Sequence, residues 1–181
     1  TDGSVKSTVG INDSTTNGPV LSDDDRFGRS VENIGDLDGD GVNDLAIGAH
    51  LDDENGTNRG MVYILFMNTD GSVKSTVGIN DSTTNGPTLS DTDQFGHGIA
   101  NMGDLNGDGT NDLAIGARND NAGGTDRGAV HILFMNSDAT VKSTVEINDS
   151  TTNGPVLADN DLFGKSVENI GDLDGDGVND L

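Results

Sequence analysis

The sequence repeats itself with a period of about 68 residues. Residues 1–68 align without a gap on residues 69–136, with about 50 of the aligned positions identical, and a third copy begins at residue 137. Repeats of this size are supersecondary units that bury their apolar faces only against neighbouring copies. The chain is therefore predicted to be a segment of an array rather than a domain with a single core.

The repeats divide the chain into four expected segments. Residues 1–22 are expected to be the last strand and loop of one repeat, and residues 159–181 the truncated start of another. Between them lie two full repeats, residues 23–90 and 91–158. Because the sequence starts and stops inside a repeat, we expect it to belong to a longer polypeptide.

The charge of the chain excludes several classes of partner. It has 32 Asp and Glu residues against 9 Lys and Arg, for a formal net charge of −23. Such a chain repels nucleic acid and anionic membranes, and no apolar run is long enough to span a bilayer. There is no cysteine, so disulfides do not hold the repeats together. The apolar residues cluster in periodic runs, which indicates an ordered protein if the charge is neutralised.

Each repeat is predicted to form four strands. Residues 60–68 are almost continuously apolar, which indicates an interior strand covered on both faces. Residues 72–80 alternate and carry a lysine, which is typical of an edge strand. Residues 44–50 also alternate, and residues 27–35 are rich in small side chains that suit a strand near a central axis. Four antiparallel strands make one propeller blade, so the sequence predicts an all-β fold.

An acidic loop precedes the strand at residues 44–50. In "DLDGDGVND", oxygen-bearing side chains alternate at Asp36, Asp38 and Asp40, and glycines between them let the backbone curl so that these oxygens converge. Convergent carboxylates need a hard cation. Calcium accepts six to eight oxygens at flexible geometry, including a main-chain carbonyl such as that of Val42, whereas magnesium prefers a tight octahedron. Soft metals would lack thiolate or clustered imidazole ligands.

The alternative calcium motif, the EF-hand, does not fit this loop. An EF-hand needs a bidentate glutamate at its twelfth position, where this chain has Ile47. It also needs a helix on each side, and the pattern after the loop is that of a strand. Asp44 would therefore have to close the site.

With their flanking motifs, these loops resemble the FG-GAP repeat of integrin α-subunit propellers and of many bacterial and archaeal surface proteins. The resemblance rests on a Phe-Gly pair before the loop and a Gly-Ala-X triplet after it. The pairs are Phe27-Gly28, Phe95-Gly96 and Phe163-Gly164, and the triplets are Gly48-Ala49-His50 and Gly116-Ala117-Arg118. The resemblance implies blades of a calcium-stabilised β-propeller, incomplete in this chain.

The family's loop pattern, DxDxDGxxD, implies one calcium ion and one set of ligands per repeat. The implied ligands are Asp36, Asp38, Asp40, Val42 and Asp44 in the first loop, Asp104, Asn106, Asp108, Thr110 and Asp112 in the second, and Asp172, Asp174, Asp176, Val178 and Asp180 in the third. The residue in the Val42 position supplies its main-chain carbonyl. Because Asn106 replaces an aspartate, the second loop is expected to bind calcium more weakly.

Two functions stay open at this point. The first is a calcium-stabilised structural or adhesive module of an extracellular or cell-surface protein, without catalytic activity. The second is the non-catalytic propeller part of a secreted lipase or polysaccharide-degrading enzyme. An enzyme should concentrate special residues, but His50, His97 and His131 occupy three different positions of the repeat, and no serine has a paired base.

Partners are predicted from the length of the chain. A closed propeller of four to eight blades would need roughly 270 to 540 residues at this period. The unpaired ends are therefore expected to join further repeats of the same chain or other copies, as a closed ring or a filament, and the surface could bind protein or glycan ligands. Four N-glycosylation acceptor patterns lie in predicted loops, at Asn12, Asn55, Asn80 and Asn148.

Overall fold

The computed structural model describes residues 3–181, so Thr1 and Asp2 lie outside the described residues. Within that range the regular structure consists of eight strands. They are β1 (Phe27–Gly35), β2 (Asp44–Ala49), β3 (Met61–Met67), β4 (Val73–Ile79), β5 (Phe95–Gly103), β6 (Asp112–Ala117), β7 (Ala129–Met135) and β8 (Val141–Ile147). The described residues contain no helix, and therefore none that could cross a membrane.

The eight strands form two separate four-stranded sheets, each ordered as in the sequence. The first sheet is β1-β2-β3-β4 and the second is β5-β6-β7-β8, with every neighbouring pair antiparallel. Each sheet is one repeat, which we call the first blade and the second blade. The prediction of an all-β chain made of four-stranded antiparallel blades is thus confirmed, and the two sheets do not close into a ring.

Burial follows the predicted order of strands with one difference. Strand β3 is buried along its whole length, as expected for an interior strand, and β4 is an edge strand that pairs only with β3. Strand β2 was expected to alternate, but both of its faces are buried apart from the half-buried Leu45. The reason is that Ala46 and Gly48 are small enough to pack against the next blade, which the alternation pattern alone does not reveal.

The terminal segments differ from the expectation that each supplies a lone strand. The first nine described residues form no regular strand, and the third Phe-Gly segment has only isolated bridges, between Gly128 and Phe163 and between Gly171 and Asp180. The equivalent strands β4 and β5 are held by ladders to β3 and β6. The described terminal segments have no such neighbour, so their backbones stay irregular.

The largest apolar core lies between the two blades. It combines Val62 and Ile64 of β3 with Phe95 of β5 and Ile115 of β6, all nearly inaccessible to solvent. The terminal segments cover the outer faces. Ile11 and Leu21 pack on the first blade, and Phe163 and Val167 pack on the second. Each blade is therefore covered on both faces, as expected of repeat units that cannot bury their faces alone.

Successive repeats meet through their glycines. A Cβ atom added to Gly48 would lie 2.0 Å from the carbonyl oxygen of Gly96, and one added to Gly116 would lie 1.8 Å from that of Gly164. The Gly-Ala motif of one repeat thus contacts the Phe-Gly motif of the next directly through the backbone. Ser30 strengthens the first contact by donating its hydroxyl to the Gly96 carbonyl at 2.8 Å. Only glycine permits this approach, because any side chain would overlap the neighbouring carbonyl.

The substitution Gly48→Ala is expected to lower the free energy of unfolding by about 1–3 kcal/mol, because the blades must separate to accept the methyl group. Gly10→Ala is the matched control, since a Cβ there meets nothing within 4 Å. Denaturant unfolding of both variants measures the difference. Equal losses would show that the glycine contact does not hold the blades together.

Candidate metal loops at the blade junction

The three carboxylates that open the first acidic loop converge. Asp36, Asp38 and Asp40 each place one oxygen so that these oxygens lie within 4.8 Å of one another, and all three side chains are exposed. Asp172, Asp174 and Asp176 form the same group in the third copy, although that segment has no complete blade around it; we call these the third-loop aspartates. The convergence is therefore a property of the loop itself.

Backbone amides hold this convergence. Asp40 N–H donates to Asp36 Oδ1 at 2.9 Å and to Asp38 Oδ1 at 3.2 Å, and Gly41 N–H donates to Asp36 Oδ2 at 2.8 Å. Gly39 and Gly41 have φ values of 77° and 90°, in the left-handed region where glycine has no steric penalty. The glycines thus allow the tight curl that turns the amides and the side-chain oxygens toward one another.

Asp44 has a different environment from the other predicted ligands. Its side chain is 1% exposed, its Oδ2 accepts the Leu37 N–H at 2.9 Å, and its Oδ1 accepts the Met67 N–H at 3.0 Å. Burial raises the pKa of Asp44, and the two amide hydrogen bonds oppose that rise. Asp44 therefore fastens the loop to the end of β3, a role that the loop pattern did not reveal.

The second loop repeats these contacts with an amide in place of one carboxylate. Asp108 N–H donates to Asp104 Oδ1 at 2.9 Å and to Asn106 Oδ1 at 3.0 Å. Asp112 is fully buried and accepts amides from Leu105 and Met135, and burial raises its pKa. The fold of the loop thus tolerates asparagine, although the loop loses one negative charge.

The closing positions of the third loop follow the same plan. Asp180 Oδ2 accepts the Leu173 N–H at 2.7 Å, as Asp44 accepts that of Leu37. The three residues predicted to offer a main-chain carbonyl each donate their own N–H to the preceding aspartate, at 2.8 to 3.0 Å. These residues are Val42, Thr110 and Val178.

A lysine from the outer strand of the same blade contacts each of the first two loops. Lys74 Nζ lies 2.6 Å from Asp38 Oδ2 and 2.5 Å from Asp40 Oδ2, and Lys142 forms the equivalent ion pair with Asp108. The hydrogen bond from Lys74 lowers the pKa of Asp40, and that from Lys142 lowers the pKa of Asp108 to about 2. The loop carboxylates thus already attract a cation that belongs to the protein.

The donor set suits calcium. The converging atoms are carboxylate oxygens, the ligands that hard cations prefer, and none of the three first-loop residues is a thiolate or an imidazole. The ammonium group on the outer oxygens shows that the loop's field favours positive charge. The residues present therefore fit a calcium ion.

The loops also contact the neighbouring blade. Asn111, next to Asp112, donates its Nδ2 to the Ile34 carbonyl of β1 at 2.9 Å, and Asn179 donates to the Met102 carbonyl at 2.8 Å. Sequence reasoning missed this role, although the asparagine recurs in all three loops. The second loop is thus anchored to β1 of the first blade, and the third loop is anchored to β5 of the second blade.

The substitution Asn111→Ala is expected to cost about 1 kcal/mol of unfolding free energy, because it leaves the Ile34 carbonyl without its side-chain donor. Asn43→Ala is the matched control, since Asn43 is the equivalent residue of the first loop and its side chain is exposed. Thermal unfolding of the two variants gives the comparison. A control loss as large as that of Asn111→Ala would contradict the proposed anchoring.

Two of the histidines meet in space despite their different repeat positions. The rings of His50 and His97 stand edge to face with centroids 5.0 Å apart across the blade junction. His131 lies elsewhere, 1% exposed beside Phe95, and burial lowers its pKa to about 4. The interpretation that the histidines are scattered is therefore wrong for His50 and His97.

The predicted glycosylation sites differ in accessibility. Asn12 and Asn55 are exposed, whereas Asn148 is half-buried and Asn80 is only 6% exposed. The Asn80 amide donates to Glu54 Oε2 at 3.3 Å, so a glycan at this residue would require the packing to open. Glycosylation stays a prediction, and the exposed pair fits it best.

Comparison with known proteins gives the family. The model of the FG-GAP repeat matches residues 27–65 and 95–133, which run from the start of β1 into β3 in the first blade and from the start of β5 into β7 in the second. The chain thus contains two FG-GAP repeats. The resemblance drawn from the Phe-Gly and Gly-Ala motifs is thereby confirmed. The contact between those motifs explains why both glycines define the repeat.

Curated relatives of this FG-GAP protein are integrin α subunits. It is 34% identical over 94 residues to integrin alpha-PS3 of Drosophila melanogaster, which covers 52% of this chain and 8% of that protein. It is 31% identical over 159 residues to integrin alpha-4 of Xenopus laevis and 32% identical over 160 residues to integrin alpha-IIb of Homo sapiens, each covering 86% of this chain and 14% of the relative. The chain thus spans a small part of the relatives' length.

Proposed function

We propose that this chain is a calcium-stabilised, non-catalytic repeat module of an extracellular or cell-surface protein, with a structural or adhesive role. The observation that carries the proposal is the convergence of the Asp36, Asp38 and Asp40 carboxylates, repeated by the third-loop aspartates. The similarity to integrin α subunits supports the extracellular and adhesive part. Residues 23–90 and 91–158 are proposed as the units of the array.

Calcium would be held by the residues that the loop pattern predicts. These are Asp36, Asp38, Asp40, Val42 and Asp44 in the first loop and their equivalents in the other two. When bound, the ion supplies charge neutralisation and fixes the loop oxygens. Asp44 joins its loop to β3, and Asn111 joins the second loop to β1 of the preceding blade. Neutralising a loop therefore stabilises the blade junction as well as the loop.

The lysine contacts refine the expected effect of removing calcium. Lys74 and Lys142 neutralise part of the charge of the first two loops, so the repulsion between the loop carboxylates is reduced, but not removed, when calcium is absent. We therefore expect a chain that stays folded but becomes less stable without calcium, rather than one that unfolds completely.

Chelation of calcium is expected to lower the melting temperature, and added calcium should restore it. A site at a free concentration 100 times its Kd contributes about 2.7 kcal/mol, which corresponds to roughly 5–10 °C for a chain of this size. Differential scanning calorimetry with a chelator and with calcium measures the change. Identical melting curves would refute the calcium proposal.

Three variants make this test specific. Asp36→Asn should reduce the calcium-dependent increase in melting temperature. Asp13→Asn should not, because Asp13 is an exposed loop aspartate outside the motifs. Lys74→Met should enlarge the increase, because removing the ammonium group removes its repulsion of the ion and leaves the calcium-free loop less stable. An unchanged increase in both Asp36→Asn and Lys74→Met would place the calcium effect outside the first loop.

Assembly with further repeats is the second part of the proposal. Most of the exposed large apolar side chains of the described residues lie in the terminal segments, 1–22 and 159–181: Val5, Val9, Val20, Ile170, Leu173, Val178 and Leu181. Within the chain, each blade already uses its neighbours to cover such surface. The terminal segments are therefore proposed to pack against other repeats, of the same polypeptide or of another copy, as a ring or a filament.

Sedimentation velocity in a calcium-containing buffer is expected to show self-association that increases with protein concentration, because the exposed apolar side chains of the terminal segments can pack against those of another copy. Val20→Ser combined with Leu173→Ser should weaken it, whereas Val145→Ser, at an exposed apolar position on strand β8, should not. A non-associating species of 18.6 kDa at all concentrations would contradict the assembly proposal.

A further inference from the structure

Two positions of the repeat are basic in every copy that contains them. The residue after Phe-Gly is Arg29, His97 or Lys165, and the residue after Gly-Ala is His50 or Arg118. The chain has only 9 Lys and Arg and 3 His among its 181 residues. The copies therefore change the side chain at these positions but keep its basic character, whereas the rest of the chain is strongly acidic.

The fold brings these residues together beside the glycine contact of the blades. Arg29 Nε lies 3.3 Å and its Nη2 lies 3.2 Å from His97 Nε2, and the His97 Nδ1 lies 2.9 Å from the Lys165 carbonyl oxygen. The His50 ring stands edge to face with the His97 ring, with centroids 5.0 Å apart. Arg29, His97 and Lys165 line a cleft of about 460 Å³ between the inner segments of three successive repeats.

The acidic side chains of the protein do not neutralise this group. Among residues 3–181, the ion pairs closer than 4 Å use Arg59, Arg127, Lys74 and Lys142. None uses the cations beside the glycine contact, and Arg118 instead donates to the amide oxygen of Gln94 at 2.8 Å.

Two glutamates, Glu32 and Glu168, line the same cleft. Neither of them forms an ion pair with Arg29 or Lys165. Glu32 Oε1 already accepts the Asn101 N–H at 3.2 Å. Arg29 and Lys165, which form the basic end of the cleft, therefore have no carboxylate within 4 Å among the described residues.

The buried His50 also lies in positively charged surroundings. His50 is 9% exposed, and its Nδ1 has no hydrogen-bond partner among the described residues. Burial lowers the pKa of His50 to about 4, and His97, Arg29 and Arg118 add to that effect. An unpartnered imidazole nitrogen beside uncompensated guanidinium groups is an arrangement that an incoming anion would stabilise.

We propose that the basic end of this cleft binds a compact tetrahedral oxyanion, a sulfate or phosphate group. Guanidinium groups bind such oxyanions through paired N–H donors. Because the cleft has two cations, Arg29 and Lys165, an anion with two negative charges suits it best. A net charge of −23 repels a long polyanion, so the ligand must be small. The group can come from a free inorganic ion or from a singly sulfated sugar.

Equilibrium dialysis with labelled sulfate, at constant ionic strength in calcium buffer, tests the site on the whole chain. Saturable binding is expected, and Arg29→Gln or Lys165→Gln should weaken it at least tenfold. Lys6→Gln is the matched control, because it removes one positive charge from an exposed position of the first described segment. A parallel titration with a monosulfated monosaccharide shows which source binds more tightly.

Side-chain nitrogen NMR of the histidines locates the binding. Either ligand should shift the His50 and His97 resonances and leave His131 unchanged, and an unchanged His131 signal also shows that a variant is folded. Non-saturable uptake of both ligands, equal binding by Lys165→Gln and Lys6→Gln, or equal shifts at all three histidines would overturn the proposal.

Discussion

The close approach of two glycine backbones at each blade junction constrains the rest of this structure. Because Gly48 lies against the Gly96 carbonyl, the inner parts of two blades pack at backbone distance rather than at side-chain distance. That approach brings Phe95 into the core between the blades and sets the residues beside each glycine against one another. The apolar core, the loop anchors and the basic cleft all depend on this spacing.

The acidic loops are coupled to the same junction through hydrogen bonds. Their carboxylates converge because backbone amides bind them within the loop, and the buried Asp44 and Asp112 tie the loops to β3 and β7. Asn111 then carries the contact to the preceding blade. A chain with a net charge of −23 thus concentrates much of its repulsion where cations, whether a lysine or calcium, stabilise blade packing as well as loop structure.

Acidic and basic side chains occupy different parts of each repeat. The acidic loops attract the outer-strand lysines, whereas the positions beside the glycine contact stay basic and unpaired in the described structure. A repeat protein multiplies any such local bias, because each copy adds the same charge at the same place. Small differences between copies, such as Asn106 in one loop, then change single sites without altering the blade.

The sequence alone determined the repeat, the four strands of each blade, the FG-GAP assignment and the convergent aspartates, because these depend on spacing and local backbone chemistry. It did not reveal that β2 is buried on both faces, that the terminal segments stay irregular, or that Asn111 anchors the loop to another blade. His50 and His97 occupy different positions of the repeat in the sequence, whereas the fold places their ring centroids 5.0 Å apart. Only the tertiary structure decided these points, because each depends on whether residues of another repeat lie in contact, and a pattern within one repeat does not specify its neighbour.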